Sequence, residues 1–271
     1  MQAFSDIELR GFLDAVYASY HHDFRSYAMA SLRRRVMFAM GRMTCESLGE
    51  LRQRLDSDPG AFSELLQHLT VQVSDMFRDP GFFVLMREQI VPVLRTYPLL
   101  RVWIAGCSSG EELYSMAILL HEEGLLARTT LYATDINPEA LRKAQAGIYP
   151  LDRIAAFTEN HRQAGGKSSL SKYYTARYES AVFDRSLREQ VVFADHSLAT
   201  DSVFAEVQLV CCRNVIIYFD RSLQERAIGL MKDSLCRRGF LGLGSRESLQ
   251  FSQHGAAFKE LAPSGSWYQR C

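Results

Sequence analysis

The sequence predicts an α/β protein in which a mostly parallel sheet carries helices on both faces and follows an all-helical region. Three observations support this prediction. Over roughly the first 70 residues, apolar side chains recur at helical spacing without strand-like alternation. From about residue 100, short apolar runs alternate with amphipathic helical stretches, which is typical of a parallel sheet. Residues 150 to 190 interrupt the alternation with an aromatic, polar and β-prone stretch, which predicts a small antiparallel insertion.

The helical region contains four amphipathic stretches. The first two lie in DIELRGFLDAVYASY and SLRRRVMFAMGRM, where apolar residues fall near helical spacing. The next two lie in ESLGELRQRLDSDPGAFSELLQHLT. Asp58-Pro59-Gly60 separates them, because proline and glycine interrupt a helix.

The alternating region begins with the strand RVWIAG and the helix EELYSMAILLHEEG, which ends at Gly124. The strand TLYATDI and the helix NPEALRKAQAG follow, with Asn137 as N-cap and Pro138 at the first helical position. QVVFAD and VQLVCCRNVIIYF are further strand candidates, DRSLQERAIGLMKDSLCRRG is a long helix, and FLGLG is a strand. The final segment, SGSWYQRC, predicts a closing edge strand.

Composition and charge argue against several classes of function. The chain carries 31 basic and 31 acidic side chains, and a general nucleic-acid binder would be basic overall. We find no signal peptide and no apolar run of about 18 residues, so we expect no membrane insertion. The six cysteines include no C-x-x-C pair, so we expect no metal site and infer a reducing, cytoplasmic setting.

The turn after the first strand indicates the ligand. It reads Gly106-Cys107-Ser108-Ser109-Gly110, and its small residues let a ligand approach the backbone. It lacks both the dinucleotide fingerprint and the lysine of a phosphate loop. Glu111 and Glu112 open the next helix, where carboxylates compete with a bound phosphate. A nucleoside without phosphates fits this turn better.

The end of the second strand supports that interpretation. Asp135 lies about 25 residues after the glycine turn, near the spacing at which an acidic residue accepts hydrogen bonds from ribose hydroxyls. A ribose, no phosphate and local negative charge together indicate S-adenosylmethionine, whose sulfonium and amino group are cationic. Taken singly, Glu111 and Glu112 could simply complement the helix dipole, and Asp135 could be a loop residue.

Several segments agree with one family. The matching segments are SLRRRVMFAM, TVQVSDMFRDPGFF, RVWIAGCSSGEELYSMA, ATDINPEALRKAQAGIY, LVCCRNVIIYFD and GFLGLGSRESL. In order and spacing the sequence resembles the bacterial chemotaxis receptor methyltransferases, the CheR family. The resemblance implies a helical domain over residues 1–72, a linker contributing to the donor site over 73–99, and a Rossmann-like methyltransferase domain over 100–271. A β-subdomain is expected near 165–190.

The resemblance also implies roles for individual residues. Glu111 matches the position that binds the amino-acid part of the donor, and Asp135 the position that holds the ribose. Gln72 and Ser74 fall where the family usually has asparagine and threonine, so the amide and the hydroxyl are retained. The remaining expected donor contacts are Arg78, Gly106, Ser197 and Leu198, and Arg213 and Asn214 are expected to contact the donor as well. Arg213, Asn214 and Tyr218 match the motif beside the reactive methyl group.

The helical region carries a group of arginines whose only nearby acid is Asp23. Charge alone predicts a solvated face. The resemblance implies instead that this basic helix meets the glutamate-bearing cytoplasmic helices of membrane chemoreceptors, and that the protein acts as a monomer. The expected receptor contacts are Arg33, Arg34, Arg35 and Arg42. Reversing Arg33 and Arg35 to glutamate should then weaken receptor methylation and leave donor affinity intact.

A carboxylate acceptor is chemically consistent with the sequence. A glutamate with an ordinary pKa of about 4.3 is already ionised at neutral pH, so its methylation needs no general base. The motif RNVIIYF contains no proline, unlike the Asn/Asp-Pro-Pro-aromatic run common in amine methyltransferases. Two alternatives remain at this stage: a methyltransferase with another acceptor, and a regulatory adaptor that binds donor or receptor without activity.

Overall fold

A computed structural model describes residues 4–262 and 266–271. The helical region consists of four helices packed around one apolar core, as the spacing predicts. Ser5 begins the first helix with a capping box that includes Glu8. The helices are α1 (Asp6–Tyr20), α2 (Met29–Arg42), α3 (Leu48–Ser57) and α4 (Ala61–Leu69).

A helical segment connects this region to the sheet. It comprises α5 (Pro80–Leu85), a π-helical turn (Met86–Ile90) and α6 (Val91–Leu94). Before it, residues 70–79 cross between the two regions without forming a helix or strand. Phe77 and Asp79 have φ angles of 53° and 55°, so this crossing contains strained backbone of the kind found beside functional sites.

The main sheet has seven strands in the order β6-β2-β1-β7-β8-β10-β9. The first five in that order are parallel, and β10 runs antiparallel to both of its neighbours. The chain order reverses between β1 and β7, which is where ligands bind in open α/β sheets. The strands are β1 (Leu100–Ala105), β2 (Thr129–Asp135), β6 (Val191–Asp195), β7 (Val207–Cys212), β8 (Leu235–Leu243), β9 (Phe258–Glu260) and β10 (Trp267–Arg270).

The expected antiparallel insertion is present and begins earlier in the chain than its composition suggested. A three-stranded sheet in the order β3-β5-β4 uses β3 (Ile148–Pro150), β4 (Tyr174–Arg177) and β5 (Ser180–Phe183). Helix α9 (Ile154–Gln163) lies between β3 and β4. The other helices of this half of the chain are α7 (Glu111–Glu122), α8 (Pro138–Ala146) and α10 (Arg221–Ser234).

A buried carboxylate ties the insertion to α7. The Glu122 side chain is 2% exposed and accepts hydrogen bonds from Arg87 Nη2 at 2.5 Å and from the Lys167 N–H at 3.1 Å, and it lies 3.1 Å from His161 Nε2. Burial alone would raise the pKa of Glu122, but the hydrogen bonds from His161, Arg87 and Lys167 lower it to about 2. The network therefore holds an ionised carboxylate.

Three local predictions were wrong at the end of the chain. The helix predicted to run to Gly239 ends at Ser234, and residues 235–238 already belong to β8, because Leu235 pairs with Val207 of β7. Strand β9 was not predicted. It forms the sheet edge, so β10 is an inner strand and not the expected edge strand. Within the described residues, no helix is both long and apolar enough to cross a membrane.

The helical region packs directly on the motif after β7. The Ala28 N–H donates to the Tyr218 carbonyl at 2.8 Å, and the Asp220 N–H donates to the Ser26 carbonyl at 2.8 Å. The rings of Tyr27 and Phe219 meet edge to face, with centroids 4.8 Å apart. The two regions are therefore joined by backbone hydrogen bonds and aromatic packing, and a cleft lies between them.

Candidate active site

The cleft lies at the carboxyl ends of β1, β2, β6 and β7, under a wall from the helical region. It encloses about 1080 Å³ when the solvent space at its open mouth is included. Most residues proposed from the sequence as donor or catalytic contacts line it: Gln72, Ser74, Arg78, Gly106, Asp135, Leu198, Arg213, Asn214 and Tyr218. Glu111 and Ser197 are not among its described lining residues.

The turn after β1 permits a close backbone approach at Gly106. This glycine has φ of 70°, and a Cβ added to it would fall 2.6 Å from Val215 Cγ2. A larger residue would therefore force apart the two turns that follow β1 and β7. Ser108, with φ of 50°, turns its N–H toward the end of β2.

Asp135 lies at the end of β2, and neighbouring backbone amides fix its carboxylate. Its Oδ2 accepts from the Ser108 N–H at 2.8 Å, and its Oδ1 accepts from the Asn137 N–H at 2.9 Å. Burial raises the pKa of Asp135, and these two amides oppose that effect. Each oxygen retains a lone pair, so the oriented carboxylate can accept hydrogen bonds from a diol.

Arg213 follows β7 and is the centre of a buried charge cluster. Its side chain is 1% exposed, with Nη1 3.0 Å from Glu112 Oε2 and Nη2 2.9 Å from Asp79 Oδ2. Its guanidinium also lies 4.1 Å from the ring centroid of Phe82. Its Nε has no hydrogen-bond partner among the described residues. Burial raises the pKa of Glu112, and Arg213 partly offsets that effect.

The two glutamates that open α7 have different surroundings. Glu112 lines the cleft, whereas Glu111 is 1% exposed and is not among the described lining residues. Glu111 Oε1 accepts from Arg153 Nη1 at 2.7 Å, and its Oε2 accepts from Ser109 Oγ at 2.7 Å. Of the two glutamates, Glu112 is therefore the one that lines the cleft.

Arg153 belongs to the insertion and also holds the segment that crosses between the two regions. Its Nη2 donates to the Ser74 carbonyl and lies 2.9 Å from Asp75 Oδ1. Gln72 is fixed by neighbours in turn, since its Oε1 accepts from Ser108 Oγ at 3.1 Å. The Arg78 guanidinium lines the cleft and, among the described residues, forms no hydrogen bond or ion pair with a carboxylate.

The chain after β6 adds an apolar wall to the cleft. Leu198 is buried there, and His196, in the stretch HSL that the resemblance places beside the adenine, lines the same wall. The His196 ring packs edge to face against Trp103 at 5.3 Å and lies 3.1 Å through Nε2 from the Ser202 carbonyl. Ser197 has a local role instead, because its Oγ accepts from the Ala199 N–H.

Asn214 and Tyr218 belong to the turn after β7. Asn214 has φ of 59°, a left-handed conformation that asparagine tolerates. Glu247, which the sequence did not single out, is 6% exposed and lies behind this turn. The Tyr218 ring faces α2, with the Arg35 guanidinium 4.9 Å from its centroid.

The arginines of α2 face three different directions. Arg35 lines the cleft and lies within 3.4 Å of the Leu69 carbonyl through Nη1. Arg33 is bound to Asp6 and to the Phe4 carbonyl. Arg34 and Arg42 are exposed, on the same face as Phe38, whose exposed fraction is 59%. The expectation that reversing Arg33 and Arg35 leaves donor affinity intact therefore conflicts with the placement of Arg35.

The described residues contain no group of three or more His, Cys, Asp or Glu side chains arranged to hold a metal ion. The residues that line the cleft suit an uncharged ribose, a cationic amino group and, through Arg35, Arg78 and Arg213, a carboxylate. They offer one anchored carboxylate, a second carboxylate beside an arginine, and an apolar wall. They therefore fit S-adenosylmethionine.

Comparison with known proteins agrees with this geometry. The family model described as "CheR methyltransferase, SAM binding domain" matches residues 72–263, and "CheR methyltransferase, all-alpha domain" matches residues 7–70. "Putative methyltransferase Cher3" of Pseudomonas putida is 55% identical over 95% of this chain and 94% of that protein. "Chemotaxis protein methyltransferase 2" of Pseudomonas aeruginosa is 30% identical over 77% and 74% of the two chains. "Chemotaxis protein methyltransferase" of Listeria innocua is 28% identical over 84% of each. The chain belongs to the CheR methyltransferase family, which confirms the resemblance and the predicted fold class.

Proposed function

We propose that this protein transfers a methyl group from S-adenosylmethionine to glutamate side chains of chemoreceptors, giving glutamate methyl esters and S-adenosylhomocysteine. The observation that supports this most is the meeting of Asp135, Arg78 and the Arg213–Asn214 turn in one cleft between the helical region and the sheet. Family membership supports the methyl donor, and the chemotaxis names of the relatives support the class of acceptor.

In the proposed donor site, Asp135 accepts hydrogen bonds from the ribose hydroxyls, and the apolar wall with Leu198 and His196 packs on the adenine. Glu112 takes the donor's amino group, a role that we assign to it in place of Glu111. Arg78 pairs with the donor's carboxylate, because arginine binds carboxylates with two parallel hydrogen bonds. Gln72 and Ser74 complete the donor site from the crossing segment.

For methyl transfer to a carboxylate, the protein mainly has to orient the donor and the acceptor and to remove water from between them. The bound donor supplies an electrophilic methyl group on a cationic sulfur. The acceptor carboxylate is already a nucleophile, so the protein must align it and strip its water. We assign this task to Asn214, Tyr218 and Arg213 on one side and to Arg35 on the other. Arg35, which forms no ion pair within the described residues, provides the positive charge that attracts an acceptor carboxylate.

We assign receptor docking to the exposed face of α2. Arg34 and Arg42 lie about two turns apart on that face, with Phe38 about one turn from each. A helix carrying glutamates can therefore meet both charge and apolar surface there. Arg33 remains a proposed receptor contact only in part, since Asp6 already neutralises it. We also propose that residues 1–72 dock the receptor and that residues 73–99 contribute to the donor site. Residues 100–271 then form the methyltransferase domain, which holds most of the donor site and the catalytic turn.

The test is methylation of receptor-containing membranes with radioactive methyl donor. A methyl ester of glutamate releases its label as volatile methanol in base, whereas methylated nitrogen does not. We expect base-labile label on the receptor, and none when the receptor's candidate glutamates are replaced by alanine. Base-stable label would indicate another acceptor. Binding of S-adenosylhomocysteine without any labelled product would indicate a regulatory adaptor.

A further inference from the structure

The turn that carries Asn214 is held from behind by a buried carboxylate that does not line the cleft. Glu247 Oε2 accepts from the Gly244 N–H at 2.7 Å and from the Asn214 N–H at 2.9 Å. Its Oε1 accepts from the Val215 N–H at 2.9 Å and from the Ile217 N–H at 3.3 Å. Four backbone amides therefore converge on one side chain.

Within the described residues, no lysine, arginine or histidine forms an ion pair with Glu247, although its residue is only 6% exposed. An unpaired buried charge is costly unless hydrogen bonds replace its water. The backbone amides of the turn supply those hydrogen bonds, so the charge of Glu247 and the conformation of the turn depend on each other.

The turn has little freedom on its opposite side. Val215 packs against Gly106, so that even a methyl group on Gly106 would collide with it. A Cβ on Gly244 would likewise fall 2.8 Å from Glu247 Oε2 and 2.9 Å from the Asn214 N. The turn is therefore fixed between the glycine turn after β1 and the carboxylate behind it, with Asn214 in a left-handed conformation that its own sequence does not impose.

We infer that Glu247 is a positioning residue for methyl transfer, which acts through the backbone of residues 214–217 to place Asn214 and Tyr218 beside the reacting atoms. This inference rests on the proposed function. It assigns Glu247 to the acceptor side of the reaction, because the donor-facing groups Asp135 and Glu112 are held by other partners. Loss of Glu247 should therefore lower kcat more than it weakens donor binding.

The experiment compares Glu247→Gln and Glu247→Asp with the control Glu225→Gln. Glu225 is a carboxylate that also accepts a backbone N–H, from Gln253 at 3.0 Å, but it lies outside the catalytic turn. Glutamine turns an NH₂ group toward amides that need an acceptor. Aspartate keeps the charge and withdraws it by about one C–C bond length, roughly 1.5 Å. Each variant is assayed for thermal stability, for S-adenosylhomocysteine affinity and for kcat of receptor methylation.

We expect kcat to fall about 30- to 100-fold in Glu247→Gln and about tenfold in Glu247→Asp, because displacement of a reacting group by about 1 Å can cost about 100-fold. Donor affinity should stay within about threefold, and the effect should not add to that of Asn214→Ala. If Glu247 were merely structural, folded Glu247→Asp would keep the wild-type kcat at a lower melting temperature, and the inference would fail. The proposed function fails separately, if the wild-type protein itself does not methylate receptor.

Discussion

Replacing Asp135 by asparagine tests the donor site most directly. The two side chains have the same shape, but asparagine has no charge and keeps only one acceptor oxygen for the Ser108 and Asn137 amides. One of these buried N–H groups then faces an NH₂ group. A hydrogen bond to a charged group contributes about 1.5–3 kcal/mol, so losing one toward the ribose should weaken binding about 10- to 150-fold.

The measurement is isothermal titration with S-adenosylhomocysteine, and the chain provides a matched control. Asp195 ends the neighbouring strand β6, pairs in register with Asp135 and is exposed outside the lining of the cleft. Asp195→Asn should change the affinity less than about threefold, within the range of surface substitutions. Equal losses of affinity in the two variants would refute the assignment of Asp135 to the ribose, as would tight binding by Asp135→Asn.

Three further predictions concern the surface and the supports of the cleft. Reversing Arg34 and Arg42 together to glutamate should raise the KM for receptor about tenfold through like-charge repulsion. Donor affinity, by titration, should stay unchanged, whereas Arg35→Glu should weaken it. Arg153→Gln should weaken S-adenosylhomocysteine binding about threefold to tenfold, because the Ser74 carbonyl and Glu111 lose a charged donor. The exposed control Arg162→Gln should leave binding unchanged. Glu122→Gln should lower the free energy of unfolding by about 3 kcal/mol at pH 7, following the pKa shift from 4.5 to about 2. Because the folded-state pKa is depressed, this stabilisation is present above pH 4.5 and is lost as the pH falls toward 2. The difference in free energy of unfolding between wild type and Glu122→Gln, measured in urea, should therefore shrink as the pH falls from 4.5 toward 2. A difference that stays constant would contradict the ionised state of Glu122.

The order of strands and helices could be predicted from the sequence because it depends on local periodicity. The location of Asp135 could also be predicted, since its position at the end of a strand fixes the edge of the sheet on which it lies. The strand boundary at Leu235 could not, because nothing in SLCRRG ends a helix before Gly239. Pairing with Val207 of β7 decides that boundary, and this contact is remote in sequence.

The direction of a side chain was harder to predict from the sequence than the position of its backbone. Glu111 and Glu112 are adjacent on one helical turn, and the choice between them depends on Arg153 and Arg213, which are far away in the chain. The arginines of α2 present the same difficulty, since three consecutive residues diverge by about 100° each around a helix. The role of Glu247 could not be predicted from the sequence. A buried carboxylate that binds only backbone amides has no charged side chain as a partner that a sequence pattern could reveal.

The contact of Arg153 with the Ser74 carbonyl bears on how this fold can be re-engineered. The insertion containing β3, β4 and β5 looks like a removable module, because its sheet is separate from the main one. Excising it, or exchanging it with that of a relative, would nonetheless also remove Arg153, which holds the crossing segment at Ser74. A chimera that exchanges this module should therefore keep Arg153, together with the ring of Phe157, whose centroid lies 4.7 Å from the Arg153 guanidinium.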